Sequence, residues 1–344
     1  MDQKKKILLS ICIPTYNRAE LLRSALYSLA PQIKELQDEV ELIVSDNNSQ
    51  DNTEEIVKWA EQFGPIKYHR NNENIGAFKN AILFPTQLAK GDFCWILGDD
   101  DFLRPNAVKK VLEVIKTYPE IDYIYVNFSH FSTDLLKNYP TPASSADLPN
   151  NLPLGNKDSN EYYVENWENL INPDISWDFL GFISTSIVRR SIWCKFYRTL
   201  NIGEPYSSLD STYPHIIIYG QGLVGKKAYY VGKPLIIVVN GARGWSDNIP
   251  KICLIYIHEA LDYYEKSGIN PIQIENCRKS LVRINTPFII QVFLFNKFKD
   301  INYKFAIHYF LKYWKYFDIK IIIFSVWINL KGWIRGPHNH KVHH

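Results

Sequence analysis

The chain has 344 residues, 46% hydrophobic and 22% charged, a balance that excludes a disordered or fibrous protein. Its 39 basic and 36 acidic side chains leave a net charge of only +3, unevenly spread. From Arg278 onward there are 12 Lys/Arg against 2 Asp/Glu, a tail of +10 on a body of −7; such asymmetry points to an anionic surface, membrane or nucleic acid, as partner.

Ile7–Pro14 is an apolar run that predicts a strand ended by Pro14. This run, which follows Met1–Lys6 and is broken by Pro14, is too short for a signal sequence, which predicts a soluble start in the cytoplasm. Arg18–Ala30 has helical spacing, with Leu21, Leu22, Ala25, Leu26 and Leu29 on one face. Val40–Ser45 is a second strand, followed by the polar loop Asp46–Asn52 and a helix over Thr53–Phe63 with Thr53 as its N-cap. Ile66–His69 reads as a short strand and Ala77–Leu88 as a helix interrupted near Pro85. Phe93–Leu97 is a fourth strand that runs straight into Gly98-Asp99-Asp100-Asp101. Pro105 opens a helix to about Lys116, and Tyr123–Phe128 is a fifth strand. Residues 134–166 are rich in Pro, Asn, Ser and Asp and form an irregular excursion. Further strands are predicted at Phe179–Val188, Tyr229–Val231 and Leu235–Val239, and from about Lys251 the pattern turns helical.

The five cysteines are odd in number, far apart and without metal-ligand spacing, which fits core thiols in a reducing compartment. No stretch reaches the roughly 18–20 consecutive apolar residues that span a bilayer.

Strand alternating with helix at this spacing predicts an α/β fold, a mainly parallel sheet wrapped by helices. Ligands of such sheets bind at the carboxyl ends of the strands. Polar clusters occupy those ends at Thr15–Arg18, Asp46–Asn48 and Asp99–Asp101, so three loops converge on one crevice. Three adjacent carboxylates repel one another unless a cation compensates, and hard oxygen ligands suit Mg²⁺ or Mn²⁺ sharing their shell with substrate phosphates. An acidic helix N-terminus favoured by the dipole is the competing reading of the acids alone.

Four ordered motifs decide between them. Ser10-Ile11-Cys12-Ile13-Pro14-Thr15-Tyr16-Asn17-Arg18, Leu42 to Thr53, Asn71-Asn72-Glu73-Asn74-Ile75-Gly76 and the acidic triad resemble the family 2 glycosyltransferases of GT-A fold, over about the first 130 residues. Leu97–Asp101, Gly181-Phe182-Ile183-Ser184 and Asn240 to Trp245 look closest to bacterial O-antigen and capsule transferases of the abequosyltransferase type. The resemblance implies that Thr15, Tyr16 and Arg18 line a nucleotide pocket whose turn Pro14 shapes. It implies that Asp46 and Asn48 bond the base or ribose, that Asn74 and Gly76 lie over the nucleotide, and that Lys79 reaches a phosphate. Asp99 and Asp101 are then the outer acids of a D-x-D motif holding Mg²⁺ or Mn²⁺, with the division of ribose and metal contacts among Asp99, Asp100 and Asp101 left open.

Inverting transfer also needs a general base for the acceptor hydroxyl. The Glu-Asp pair usual in such enzymes is missing, which leaves Asp210 as the first choice and Glu204 and His215 as alternatives. Ser184, Arg189, Arg243 and Trp245 are expected on the acceptor side or in a closing loop.

In Tyr303–Phe317, Lys304, His308, Lys312 and Lys315 form one narrow polar stripe on a helix otherwise apolar and aromatic. Ile319–Leu330 is again apolar, bounded by Lys320 and Lys331. This describes helices lying in a membrane interface; packing on the catalytic core or on a second copy is the competing reading, and so much apolar surface argues against nucleic acid. The histidines at 338, 340, 343 and 344 read as a frayed tail.

The expected organisation is a catalytic domain over 1–250 (1–130 for the nucleotide-sugar, 131–250 for the acceptor), a helical basic-aromatic region over 251–336 and a disordered tail over 337–344. The expected activity is inverting transfer from a nucleotide-diphosphate sugar to a glycan, polyprenyl-diphosphate-linked, on the inner face of the cell membrane, with homo-oligomer formation through the C-terminal helices as a further expectation. A catalytically silent sugar-nucleotide-binding scaffold and a sugar nucleotidyltransferase are the rival functions.

Overall fold

The computed structural model describes residues 6–241, 248–295 and 301–335. Its centre is a nine-stranded sheet. The first half of the chain supplies β1 (Leu9–Thr15), α1 (Ala19–Lys34), β2 (Val40–Asp46), α2 (Thr53–Ala60), β3 (Lys67–Arg70), α3 (Ala77–Leu83), β4 (Phe93–Ile96), β5 (Phe102–Leu103), α4 (Ala107–Thr117) and β6 (Tyr123–Ser132). There follow α5 (Thr133–Leu136), β7 (Glu161–Val164), β8 (Ser186–Arg189), α6 (Arg190–Phe196), α7 (Pro214–Gly222) and β9 (Ala228–Asn240). The short α8 (Ile249–Lys251) leads through a π-helical turn into α9 (Ile257–Lys266), and α10 (Pro271–Phe295), α11 (Tyr303–Tyr313) and α12 (Ile319–Arg335) complete the chain.

The strands lie in the order β3-β2-β1-β4-β8-β6-β9-β5, with β7 paired to β9. β3, β2, β1 and β4 are mutually parallel, β8 runs antiparallel between β4 and β6, and β6 and β9 are parallel again. This is the mixed, mainly parallel sheet that the strand–helix alternation predicts.

Period-2 alternation divides the core. Leu9, Ile11 and Ile13 of β1 point to one face, under Leu22, Leu26 and Leu29 of α1, Val57 of α2 and Val108, Val111 and Leu112 of α4. Cys12 points to the other, in one cluster with Ile82 of α3, Trp193 of α6, Tyr219 of α7, Leu261 of α9 and Leu281 of α10. Full burial of each such leucine contributes about 1.5–3 kcal/mol, so α1 is held chiefly by this stripe. The start of α2 is capped by Asp51 rather than by Thr53: Oδ1 of Asp51 accepts from the Thr53 hydroxyl at 2.6 Å and from its N–H at 3.2 Å. Its other oxygen accepts from the N–H of Ala19 at 3.0 Å and so ties α1 to the same loop.

Two predicted strands come out differently. Phe179–Val188 shortens to β8, because Phe179 and Leu180 take φ values of 51° and 72° and Ile183–Thr185 is a 3-10 turn. The runs at 229–231 and 235–239 are one strand, β9, carried across Gly232 and Pro234. The excursion 134–166 contributes β7 to the sheet.

Val282, Ile289 and Val292 of α10 form a separate small core with Ala306, Tyr309 and Tyr313 of α11. Lys304, His308 and Lys312 are exposed on α11, as the stripe predicts. Among the described residues no helix is long and apolar enough to cross a membrane.

Candidate functional site

Strand register brings the three polar clusters to one height. Thr15 pairs with Asp46 across β1 and β2, and Cys12 pairs with Ile96 across β1 and β4, so Thr15 and Asp99, each three residues on, emerge together. The loops beyond β1 and β2 are zipped by the Asn17 N–H donating to Ser49 Oγ at 2.9 Å and the Gln50 N–H donating to Asn17 Oδ1 at 2.7 Å. Asn17 and Asn48 both adopt positive φ, 52° and 66°, which asparagine tolerates better than other side chains.

Asp46 is fully buried, and its two oxygens have different partners. Oδ1 accepts from the Ser49 N–H at 2.8 Å, and Oδ2 accepts from the Tyr68 hydroxyl at 2.6 Å, with Arg70 Nε 4.0 Å away. Burial and this bond both push the Tyr68 hydroxyl well above its usual range. Arg70 also donates to Asn48 Oδ1 at 3.3 Å and to the Ser49 carbonyl at 2.7 Å. Beside this cluster runs an asparagine chain. Asn47 donates to Asn74 Oδ1 (2.7 Å), Asn71 donates to Asn47 Oδ1 (3.0 Å) and to Asn80 Oδ1 (2.9 Å), and the Gly76 N–H closes on Asn74 Oδ1 (2.9 Å). Gly76 has φ of 88°, where a side chain would be strained, so the loop over the crevice depends on glycine. Tyr68, Arg70, Asn71 and Asn80 were not among the expected site residues. Asn71 opens the quoted Asn71–Gly76 motif, whereas Tyr68, Arg70 and Asn80 are marked only by their place in and after the short strand β3.

At the triad, Asp99 is 4% exposed and saturated: Thr15 Oγ1 donates to its Oδ2 at 2.8 Å, and Arg18 lies 2.7 Å from its Oδ1. The same guanidinium is 2.6 Å from Asp100 Oδ2. Burial lifts the Asp99 carboxyl to about 7 against the pull of Arg18, and Asp100 adds to the lift. Ser184 Oγ donates to Asp101 Oδ2 at 3.3 Å, which brings an expected acceptor-side residue onto the triad.

Among the described residues no three His, Cys, Asp or Glu side chains gather as a metal cage. The triad nevertheless fits a hard divalent cation. A Cβ placed on Gly98 would meet Asp100 Oδ1 at 2.8 Å and Asp101 Oδ2 at 2.9 Å, so two carboxylate oxygens close over a space that only glycine leaves open. Two carboxylates with the remaining positions left to phosphate oxygens or water is how Mg²⁺ and Mn²⁺ are commonly held. In the expected Asp99–Asp101 pair, Asp99 has both oxygens engaged, whereas Asp100 presents Oδ1 beside Asp101.

Tyr16 is exposed at the rim and Lys79 is exposed on α3. The base candidates lie in and after the loop before α7. Asp210 is half-buried and accepts from the Asn201 N–H at 3.1 Å, while Glu204 is exposed. His215 is buried inside the first turn of α7, its Nε2 2.9 Å from the Gly181 carbonyl, and burial lowers it to about 4. Arg189 belongs to β8, paired with Asp122 at 2.6 Å. Arg243 and Trp245 lie outside the described residues, as do the terminal histidines.

Residues 10–183 match the family model described as Glycosyl transferase family 2. The chain belongs to that family. It is 30% identical over 281 residues to abequosyltransferase RfbV of Salmonella typhimurium, covering 76% of this chain and 77% of that one. Among solved structures, it covers 50% of the S. aureus TarS chain (TM-score 0.60, 15% identity) and 83% of its 1–349 piece in complex with UDP-GlcNAc (TM-score 0.59, 14% identity), in each case over 92% of this chain. The mannosyltransferase PcManGT of Pyrobaculum calidifontis, in complex with GDP-Man and Mn²⁺, aligns with TM-score 0.50 at 11% identity, over 94% of this chain and 80% of that one. The structural likenesses establish the GT-A type of fold, and the family match with the 30% identical relative establishes a glycosyltransferase.

Proposed function

We propose that this glycosyltransferase moves a sugar, with inversion, from a nucleotide-diphosphate sugar to a glycan of a bacterial surface polysaccharide, O-antigen or capsule, carried on a polyprenyl diphosphate at the inner face of the cell membrane. The observation that carries the reading is the convergence of Thr15, Arg18 and the triad on one crevice beside the Asp46–Tyr68–Arg70 pocket. The similarity to an abequosyltransferase supports the pathway, and the UDP-GlcNAc and GDP-Man complexes of the structural neighbours support the donor class.

In this reading Asp46, Asn48 and Arg70 hold the base or ribose, framed by Thr15 and Tyr16 after the turn at Pro14. Asn74 and Gly76 cover the nucleotide, and Lys79 and Arg18 meet the diphosphate. Asp99, buried and bonded to Thr15, contacts the ribose. Asp101, with Asp100 or Asp99, would hold Mg²⁺ or Mn²⁺, which when bound would supply charge stabilisation to the departing diphosphate. Asp210 takes the proton from the acceptor hydroxyl, whose oxygen attacks the anomeric carbon on the face opposite the leaving group. Ser184, Arg243 and Trp245 border the acceptor.

A thermal-shift panel of UDP-, GDP-, CDP- and dTDP-sugars with Mn²⁺ tests the donor, because a ligand of the folded state raises its stability. One nucleotide family should raise the melting temperature by several degrees. A flat response to all four overturns the donor reading. Binding without metal-dependent transfer or hydrolysis would instead identify a silent binding protein, the reading that the missing Glu-Asp pair favours.

A further inference from the structure

The C-terminal helices present two opposed patterns. On α11, Ala306, Tyr309 and Tyr313 face the protein and are buried. A second apolar stripe, Tyr303, Ile307, Phe310, Leu311 and Trp314, faces outward, with Leu311 65% and Trp314 68% exposed. At 100° per residue this stripe lies between the buried one and the polar one of Lys304, His308 and Lys312.

The next helix, α12, is inside out. Its buried residues include Ser325 and Asn329, whose side-chain amide bonds back to the Ser325 carbonyl at 2.8 Å. Its outward residues are Ile319, Ile323, Phe324, Trp327 and Ile328, with Ile319 67% and Ile323 63% exposed. A helix that turns serine and asparagine inward and isoleucine and tryptophan outward is patterned for an apolar medium, not for water.

We propose that the outward stripes of α11 and α12 are the surface by which the enzyme lies in the headgroup–acyl boundary of an anionic bilayer, with Lys304, Lys312 and Lys320 on the lipid phosphates. This rests on the membrane placement proposed above and names the face responsible for it. Charge selects the occupant. The three lysines are exposed and form no salt bridge among the described residues. The one acidic residue between 301 and 335 is Asp318, already 3.7 Å from Arg283. A second copy on this face would set lysine against lysine, whereas anionic lipid supplies the opposite charge while the acyl chains take the isoleucines and aromatics.

Flotation of the full chain tests this, with phosphatidylcholine vesicles and with vesicles containing roughly one third phosphatidylglycerol. The chain should float with the anionic vesicles alone. Leu311→Glu with Ile323→Glu should lower the bound fraction at least tenfold, while Leu135→Glu, an exposed apolar site on the catalytic body, should leave it unchanged. Unchanged flotation of the double variant overturns the face and leaves the membrane placement standing. An unmodified chain that never floats overturns both, and the donor panel still reads the transferase independently.

A conservative measurement guards against misfolded variants. Brominated phosphatidylglycerol should quench tryptophan emission, and Trp314→Phe with Trp327→Phe should remove that quenching. Quenching that survives overturns the proposal. So does a vesicle-free dimer, seen by light scattering, that Leu311→Glu dissociates, since a second copy would then cover the stripe.

Discussion

The guanidinium of Arg18 bridges Asp99 and Asp100, 2.7 Å from one carboxylate and 2.6 Å from the other, across more than eighty residues of sequence. It sets a positive charge between the two carboxylates and works against the burial that lifts Asp99 to about 7. Arg18→Ala therefore removes the counter-charge of the triad and, in the proposed reading, a diphosphate contact. Donor affinity, measured by calorimetry with the nucleotide sugar that the panel selects, should fall at least tenfold, about 1.4 kcal/mol or more. Arg18→Lys should not restore it, because an ammonium cannot reproduce the fork that spans two carboxylates. Full rescue by lysine would show that only net charge matters there.

Gly98 is the second point of leverage. Gly98→Ala pushes a methyl group onto the oxygens of Asp100 and Asp101, at 2.8 and 2.9 Å. Mn²⁺ affinity, followed by electron paramagnetic resonance in the presence of nucleotide, should weaken severalfold while circular dichroism stays unchanged. Wild-type metal affinity in the variant would place the cation elsewhere.

Asp210→Asn separates chemistry from binding. A general base contributes about 10²–10⁴ in rate, so turnover should fall by that factor with the donor-induced thermal shift intact. Near-normal turnover transfers the role to Glu204, whose Gln variant is then the one to assay.

His215 gives a pH signature. Its folded pKa of about 4 lies below the ordinary 6.5, so the unfolded state takes up a proton first. The stability His215 contributes is full above pH 6.5 and is lost as pH falls toward 4, by about 1.4 kcal/mol per pH unit across that window. His215→Gln keeps a donor for the Gly181 carbonyl and removes the titration. Its melting temperature should thus decline less than that of the unmodified chain between pH 6.5 and 4. Parallel decline in the two proteins would mean that the imidazole is solvated in the folded state. Retained turnover in this variant would also remove His215 from the list of bases.

Much of the donor half is written locally. Buried alternating strands end at polar loops, and chain order alone brings Thr15, Asp46 and Asp99 to one edge of the sheet. What escaped was set by contacts between distant residues. Arg70 and Tyr68 sit on the short edge strand β3, and the buried Asp46 beside it is the partner that draws them to the site. Phe179 and Leu180 look like strand residues, yet both turn left-handed. Ser176 Oγ, four residues back in the same turn, accepts the Leu180 N–H at 2.9 Å, and the distant partner is the Tyr264 hydroxyl of α9, which donates to the Phe179 carbonyl at 3.2 Å. In the tail, periodicity located the polar stripe, but a helix with two apolar sides reads in sequence as one broad face until packing shows which side is covered.

The antiparallel β8 carries a consequence of its own. Because it runs against β4, its beginning, not its end, lies beside the triad, and Trp95 Nε1 donates to the Ser184 carbonyl at 2.7 Å. A single buried indole of β4 thus fixes the peptide that leads into β8. The segment upstream of Ser184 is anchored as well, since Ile171, Ile175, Phe179 and Leu180 are buried in the core that α9 and α10 share, so a change there acts first on the packing that sets Ser184 beside the triad.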